Sequence, residues 1–290
     1  MKYPSIAFLK TEGFPVRACC EVLNVSCSGF YGWANRKPSK REQRDEMLKA
    51  RIVEVFGKSK RRYGSPRIHE QLQRDGEKVG KDKVAKLMKE SGLQAKRKKA
   101  FRPTTTVNHP YTKKAPRLFK LEKDEVSKKN QVWVSDLTYI PTEAGYCYLV
   151  IVMDLFNREI RGWNVADSMD ARNTRKALIE AIQSTPGALQ GLTFHSDQGV
   201  QYCSSAVRDK LRILGITQSM SRKGNCYDNA FAESFFHSLK TELDKERFES
   251  VEEARKEIFD YVNWYNRDRL HSSLGYMSPI EYLNEQRCAA

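Results

Sequence analysis

Three carboxylates far apart in the chain, Asp136, Asp197 and Glu233, have the types and settings that divalent-metal chemistry at a phosphodiester needs. Asp136 lies within Trp133-Val134-Ser135-Asp136-Leu137-Thr138-Tyr139. Asp197 follows the short apolar run Leu192-Thr193-Phe194, which predicts a strand reaching its C-terminal edge. Glu233 follows with 35 residues between them, in a stretch whose apolar residues at 232, 235, 236, 239 and 243 have helical spacing. Asp228 or Asn229 can cap that helix. Breaking or making a phosphodiester requires a polarised phosphorus, an activated hydroxyl and a stabilised leaving oxygen. Two Mg²⁺ ions about 3.5–4 Å apart meet all three needs. Mg²⁺ is a hard ion held by carboxylate oxygens and water, and Mn²⁺ can stand in for it. No nucleophilic side chain is needed, in keeping with the lack of a triad pattern.

Elements must bring the three together. Strands are predicted at 131–140, 146–155 and 159–166, then a helix at 170–183 ended by Pro186-Gly187. Strand 191–195, helix 204–214, strand 216–219 and the Glu233 helix follow. The order βββαβαβα predicts an α/β fold: a ribonuclease-H-like mixed five-stranded sheet flanked by helices. In such a sheet a mid-strand, a strand-end and a helical carboxylate can converge at one edge. His195, two residues before Asp197, shares its strand face and reads as structural or as a support for the metal ligands rather than as a general base, since metals can activate the nucleophile. Asp154 reads as a partner of Arg158 or Arg161. Tyr261, Trp264 and Tyr265 have helical spacing with Val251, Ala254 and Ile258, which points to core packing.

The charge is uneven. Residues 1–130 hold 33 Lys+Arg against 14 Asp+Glu, a net of +19, whereas residues 131–290 hold 18 against 22, a net of −4. Charge concentrated in one module is the footprint of phosphate binding. Residues 1–35 read as a helix-turn-helix-like segment, 36–62 as a charged connector passing into a helix with Met47, Leu48, Ile52, Val55 and Phe56 as its stripe. Residues 63–95 form a clearer helix-turn-helix: Ile68 and Leu72 mark one helix, Val84, Leu87 and Met88 a second. The second helix carries Lys81, Lys83, Lys86 and Lys89 on its other face, placed for phosphates flanking a major groove, or simply solvated. Residues 96–128 are a basic, proline-containing linker with Lys96, Arg97, Lys98 and Lys99 at its start, expected to lie along DNA and bury little surface. Residues 129–290 form the catalytic core with a C-terminal helical extension. Forty per cent hydrophobic and 30% charged residues describe a globular protein. No apolar run approaches the ~20 residues of a membrane span, and Met1-Lys2-Tyr3-Pro4-Ser5-Ile6 lacks a signal-peptide pattern, so a cytoplasmic, non-membrane protein is expected. The seven cysteines form no C-x-x-C pair and indicate neither a disulfide framework nor zinc.

The carboxylate block resembles the Asp-Asp-35-Glu core of retroviral-type integrases and bacterial insertion-sequence transposases. The resemblance is carried by Trp133, Ser135-Asp136-Leu137-Thr138-Tyr139, then His195-Ser196-Asp197-Gln198-Gly199 with Gln201-Tyr202. It continues through Gly224-Asn225-Cys226, Asp228-Asn229-Ala230, Ala232-Glu233-Ser234-Phe235, and Lys240 seven positions after the glutamate. The tail, Trp264-Tyr265-Asn266-Arg267, Arg269, His271, Ser273-Leu274-Gly275-Tyr276 and Ser278-Pro279, is similar to the bacterial branch, as are Arg62-Tyr63-Gly64 and Arg67-Ile68 upstream.

That resemblance implies Asp136, Asp197 and Glu233 as catalytic residues and ligands of two Mg²⁺ ions. Lys240 shares a helix face with Glu233, since 7 × 100° is nearly two turns, and would hold a DNA-end phosphate. Asn229 faces the same way, as a DNA contact or a cap, and Arg222 and Lys223 lead into a strand-binding loop. The partners implied are the element's terminal inverted repeats, target DNA, further copies of the chain on paired ends, and an upstream-frame protein or frameshift fusion, this chain being the downstream-frame, catalytic product. A bacterial, nucleoid-associated DNA transposase is the expectation. A nuclease that only cleaves and a non-catalytic DNA-binding regulator are the alternatives.

Overall fold

Helical spacing in the first third of the chain gives way to strand alternation in the middle. The computed structural model divides accordingly into two units, Met1–Gln94 and Ala95–Ala290. It describes residues 2–96, 114–119, 125–221 and 230–289.

The first unit is all helical: α1 (Lys2–Thr11), α2 (Val16–Val22), α3 (Cys27–Ala34), α4 (Lys40–Lys58), α5 (Ser65–Arg74) and α6 (Lys81–Glu90). Helix α1 was not foreseen. It buries Ile6 alone, so no apolar stripe announces it. Ile6, Cys19, Cys20 and Phe30 form the small core of α1–α3. Helix α4 starts at a capping box in which Ser39 and Glu42 satisfy each other's backbone amides. Leu48, Ile52, Val55 and Phe56 are buried along it. Met47, expected in that stripe, is 68% exposed, because it lies five residues, or about 140°, away from Ile52 around the helix. Helices α5 and α6 bury Ile68, His69 and Leu72 against Val84, Leu87 and Met88, and Gly76 takes the left-handed φ of +86° that ends α5.

The second unit contains β1 (Val132–Thr142), β2 (Gly145–Asp154), β3 (Ile160–Ala166), α7 (Ala171–Gln183), β4 (Thr193–Ser196), α8 (Ser205–Ile213), β5 (Thr217–Met220), α9 (Ala230–Glu242), α10 (Val251–Arg267) and α11 (Pro279–Ala289). The sheet order is β3-β2-β1-β4-β5, with β1, β2 and β3 antiparallel and β4 and β5 parallel to β1. This is the mixed five-stranded, helix-flanked sheet expected. Pro141 is tolerated in the central strand because β4 pairs only with Val132–Ser135; farther along β1 the Phe248 amide donates to the Pro141 carbonyl and the Glu143 amide to the Phe248 carbonyl, a bridge that needs no N–H from Pro141.

Alternation assigns the two faces. Trp133, Leu137, Val150, Val152 and Phe194 pack with Ala177, Leu178, Ala181, Val207 and Leu211 of α7 and α8. Val132, Val134, Ile140, Leu149 and Ile151 pack with Phe235, Leu239, Ile258 and Tyr261 of α9 and α10. Gly162 lets α7 lie close on β3, since a Cβ there would run into the Ala177 carbonyl oxygen and the Ala181 amide. Residues 114–119 correct the expectation of a linker that buries little. The Leu118 and Phe119 amides each donate to Ser219 Oγ at 2.9 Å, and the Met220 amide donates to the Pro116 carbonyl. Phe119 is buried edge-on to His195. An edge strand offers unpaired polar groups, and here the linker takes them up.

Candidate active site

Strand register aligns the two aspartates. Val134 pairs with His195 and Ser135 with Ser196 on parallel strands about 4.8 Å apart, so Asp136 and Asp197 each come directly after the last paired residues, Asp197 just past the end of β4. Asp136 falls two residues after Val134, on the sheet face packed by α9 and α10. Helix α9 brings Glu233 in its first turn and Lys240 in its last. Lys240 Nζ donates to Thr138 Oγ1 at 2.7 Å and sits 4.5 Å from the centre of the Tyr139 ring. Thr138 is two residues beyond Asp136, on the same face of β1. So α9 reaches the aspartate strand at the point the helical arithmetic requires.

Asp136 keeps some solvent access but has protein on most sides. Burial first, then the negative charges of Asp197 and Glu233, push its carboxyl well above the usual range, against the Leu137 amide and Lys240, which favour the ionised form. Asp136 Oδ1 accepts from the Leu137 amide at 2.8 Å, and Asp197 Oδ1 from the Gly199 amide at 2.9 Å. Glu233 is exposed. Among the described residues, no three His, Cys, Asp or Glu side chains are gathered closely enough to enclose a metal ion.

Sequence reasoning gave Tyr202 and Ser135 no role, although both lie in the quoted motifs. Ser135 Oγ donates to the Ile151 carbonyl at 2.7 Å, so the Tyr202 hydroxyl, 3.0 Å from Ser135 Oγ, is the donor between them. Tyr202 is fully buried, and burial with the nearby charges of Asp136 and Asp197 pushes its hydroxyl far up, so it stays neutral beneath the pair. His195 is fully buried with Nδ1 3.0 Å from Ser219 Oγ, a structural setting. Asp154 differs from expectation: it accepts the amides of Asn130 and Phe156 at 2.8 and 3.0 Å. Arg161 binds Glu159 instead, at 2.6 Å, and the Arg158 guanidinium lies over the Phe231 ring. Tyr261 and Tyr265 are buried in the α9–α10 core, with Trp264 packed against it.

The cations expected to contact DNA have varied settings. Lys83 is half-buried and pairs with Asp45 of α4. Lys86 is exposed, 3.8 Å from Glu90 on its own helix. Lys96 pairs with Asp244 and donates to the Glu242 carbonyl at 3.1 Å. Arg97, Lys98, Lys99, Arg222, Lys223 and Asn229 lie outside the described residues.

Known proteins decide the family. Residues 126–226 and 214–279 match models described as Integrase core domain, and residues 42–101 match an HTH-like domain. The Transposase InsF for insertion sequence IS3A of Escherichia coli (strain K12) is 37% identical over 292 residues, covering 98% of this chain and 99% of the relative. The chain belongs to the insertion-sequence transposase family. An uncharacterized 31 kDa protein of insertion element IS600 from Shigella sonnei is 42% identical over 266 residues, 91% of this chain and 96% of the relative. The catalytic core of BIV integrase superposes on 55% of this transposase and 97% of its own chain, with 19% identity and a TM-score of 0.42. The protein is a DNA transposase of an insertion sequence, a polynucleotidyl transferase that carries an HTH-like domain. Among the described residues no helix is long and apolar enough to cross a membrane.

Proposed function

We propose that Asp136, Asp197 and Glu233 are the catalytic carboxylates, that they hold divalent cations, and that they carry out two successive displacements at phosphorus. In the first, water attacks the phosphodiester at the element end, releasing a 3′-hydroxyl and leaving a 5′-phosphate. In the second, that 3′-hydroxyl attacks a target phosphodiester, forming a new P–O bond as the target's own 3′-oxygen leaves and takes up a proton. A pair of Mg²⁺ or Mn²⁺ ions, when bound, would polarise the phosphorus and stabilise both the attacking and the departing oxygen. The support is the strand register that leads into Asp136 and Asp197, the negative charges of Asp197 and Glu233 acting on Asp136, and the packing of α9, which carries Glu233 and Lys240, on the Asp136 face.

The donor set suits such ions. Carboxylate oxygens are the ligands hard cations prefer, and the burial that, with the negative charges of Asp197 and Glu233, raises the Asp136 pKa is a load that a divalent cation relieves. Lys240, held by Thr138 over Tyr139, presents its ammonium to a DNA-end phosphate beside the carboxylates. Lys86 and the linker cations 97–99 would grip the DNA backbone, with element ends and target as partners, while Lys96 is engaged by Asp244. Copies of the chain would assemble on paired ends, joined by an upstream-frame product. Strand transfer of an element-end duplex in Mg²⁺ tests the reading. Glu233→Gln and Asp197→Asn should each bind the end and give no joined product; joining at the normal rate by either variant rejects the assignment. Cleavage without any joined product from the unaltered protein would mark a nuclease.

A further inference from the structure

Helix α9 carries Glu233 near its start and Lys240 near its end, and its last residue, Glu242, is a carboxylate that is almost fully buried. Nine residues separate Glu242 from Glu233, which amounts to 180° around the helix and about 13 Å along it. Glu242 therefore faces away from the catalytic carboxylates. Arg269 meets it as a fork: Nε donates to Oε2 at 2.9 Å and Nη2 to Oε1 at 2.7 Å, with both side chains under 8% exposed. The Tyr261 hydroxyl donates to Oε2 at 2.9 Å. Arg269 Nη2 also donates to Ser238 Oγ at 3.2 Å, one turn earlier on the same face of α9. The guanidinium thus holds α9 at two successive turns.

Arg269 is itself fixed. Its amide donates to the Trp264 carbonyl, and its guanidinium lies 5.6 Å from the Tyr265 ring centre. Tyr265 in turn packs edge-on against His271 and against Phe235 of α9. The turn beyond is closed by hydrogen bonds between His271, Tyr276 and Met277, with Gly275 and Tyr276 both left-handed. A buried ion pair contributes little net stability compared with apolar residues of similar volume, so stability is a weak reason for this network. Its directional fork does what an apolar contact cannot: it sets how far α9 slides and how far it rotates.

We infer that Arg269 is a positioning residue, whose clamp on Glu242 and Ser238 sets the register of α9 and so the reach of Glu233 and Lys240 toward Asp136 and Asp197. This rests on the catalytic assignment of Glu233 and Lys240 made above. A misplacement of about 1 Å far from the chemistry can lower a rate about a hundredfold.

Two full-length variants test it. Arg269→Lys keeps the charge and loses the fork; Arg269→Met with Glu242→Leu replaces the pair by apolar side chains and keeps the fold if the lysine variant does not. The expected result is normal binding of element-end DNA, single-turnover joining reduced at least tenfold per folded molecule, and a Mg²⁺ concentration for half-maximal thermal stabilisation raised about fivefold or more. Unchanged joining and an unchanged Mg²⁺ midpoint in whichever variant folds, with only the metal-free Tm altered, would overturn the proposal. Full joining by Glu233→Gln would instead reject the underlying catalytic assignment, whatever Arg269 does.

Discussion

The two units handle charge in opposite ways. The helical unit carries most of the basic surplus, and many of its ion pairs are surface pairs, such as Arg17–Glu21, Lys58–Glu54 and Lys86–Glu90, with water close by. Residues 131–290 of the catalytic unit have almost balanced charge but draw several charges inside: Arg161 with Glu159, Arg269 with Glu242, and Asp136 beside Asp197. Exposed charges act over distance and are screened by salt, so many can be exchanged with little effect on the fold. Buried charges act through fixed geometry, and each one lost should be felt. The helical unit is built to meet a charged surface, the catalytic unit to hold a few atoms in place.

That contrast predicts a ranking of effects. The largest is Asp136→Asn, which removes a charge from the carboxylate group and should lower single-turnover joining about a thousandfold, as the loss of several kcal/mol of transition-state stabilisation would. Its end-DNA affinity in a mobility-shift assay should stay within about twofold, since the electrostatic grip proposed above lies elsewhere. Next is Arg161→Met, which leaves a buried Glu159 with Lys129 as its remaining cation. It should cost about 3 kcal/mol and lower the calorimetric Tm of the catalytic unit by about 6–12 °C. Arg17→Met, at an exposed pair, should leave Tm unchanged; an equal drop would erase the contrast between the units.

Acid sensitivity follows from the same pair. Burial alone would raise the Glu159 carboxyl, but Arg161, Lys129 and Asn157 together pull it below its ordinary value. A depressed carboxylate gives stability that is present above its unfolded pKa of about 4.3 and is lost as pH falls through the lower folded value. Wild-type Tm should therefore drop below about pH 4, and Glu159→Gln should flatten that drop. The smallest effect on function is expected of Lys86→Ala. It should weaken DNA binding about equally for all sequences and reduce the salt slope by about 1, with no change in joining rate once DNA is bound.

How much of this was legible in the sequence depended on periodicity. The five strands, α7, α8 and α9 could be read because alternation and helical spacing mark what the core buries. The distance from Glu233 to Lys240 likewise fixed a shared helix face. Helix α1 was hidden because one buried residue makes no pattern. Met47 was misplaced because an apolar residue near a stripe need not lie on it. The docking of 114–119 was missed because it depends on one hydroxyl, Ser219, a hundred residues away. Arg269 was visible only as a letter in a motif; its contact with Glu242 needs two helices packed together.

The central claim is that Asp136, Asp197 and Glu233 together hold divalent cations. Binding of Mn²⁺ followed by electron paramagnetic resonance, on the wild-type chain and on Asp197→Asn, tests it most directly. The account predicts saturable Mn²⁺ binding by the wild type and at least a tenfold weaker affinity in the variant. Equal Mn²⁺ affinity in the two proteins would contradict it.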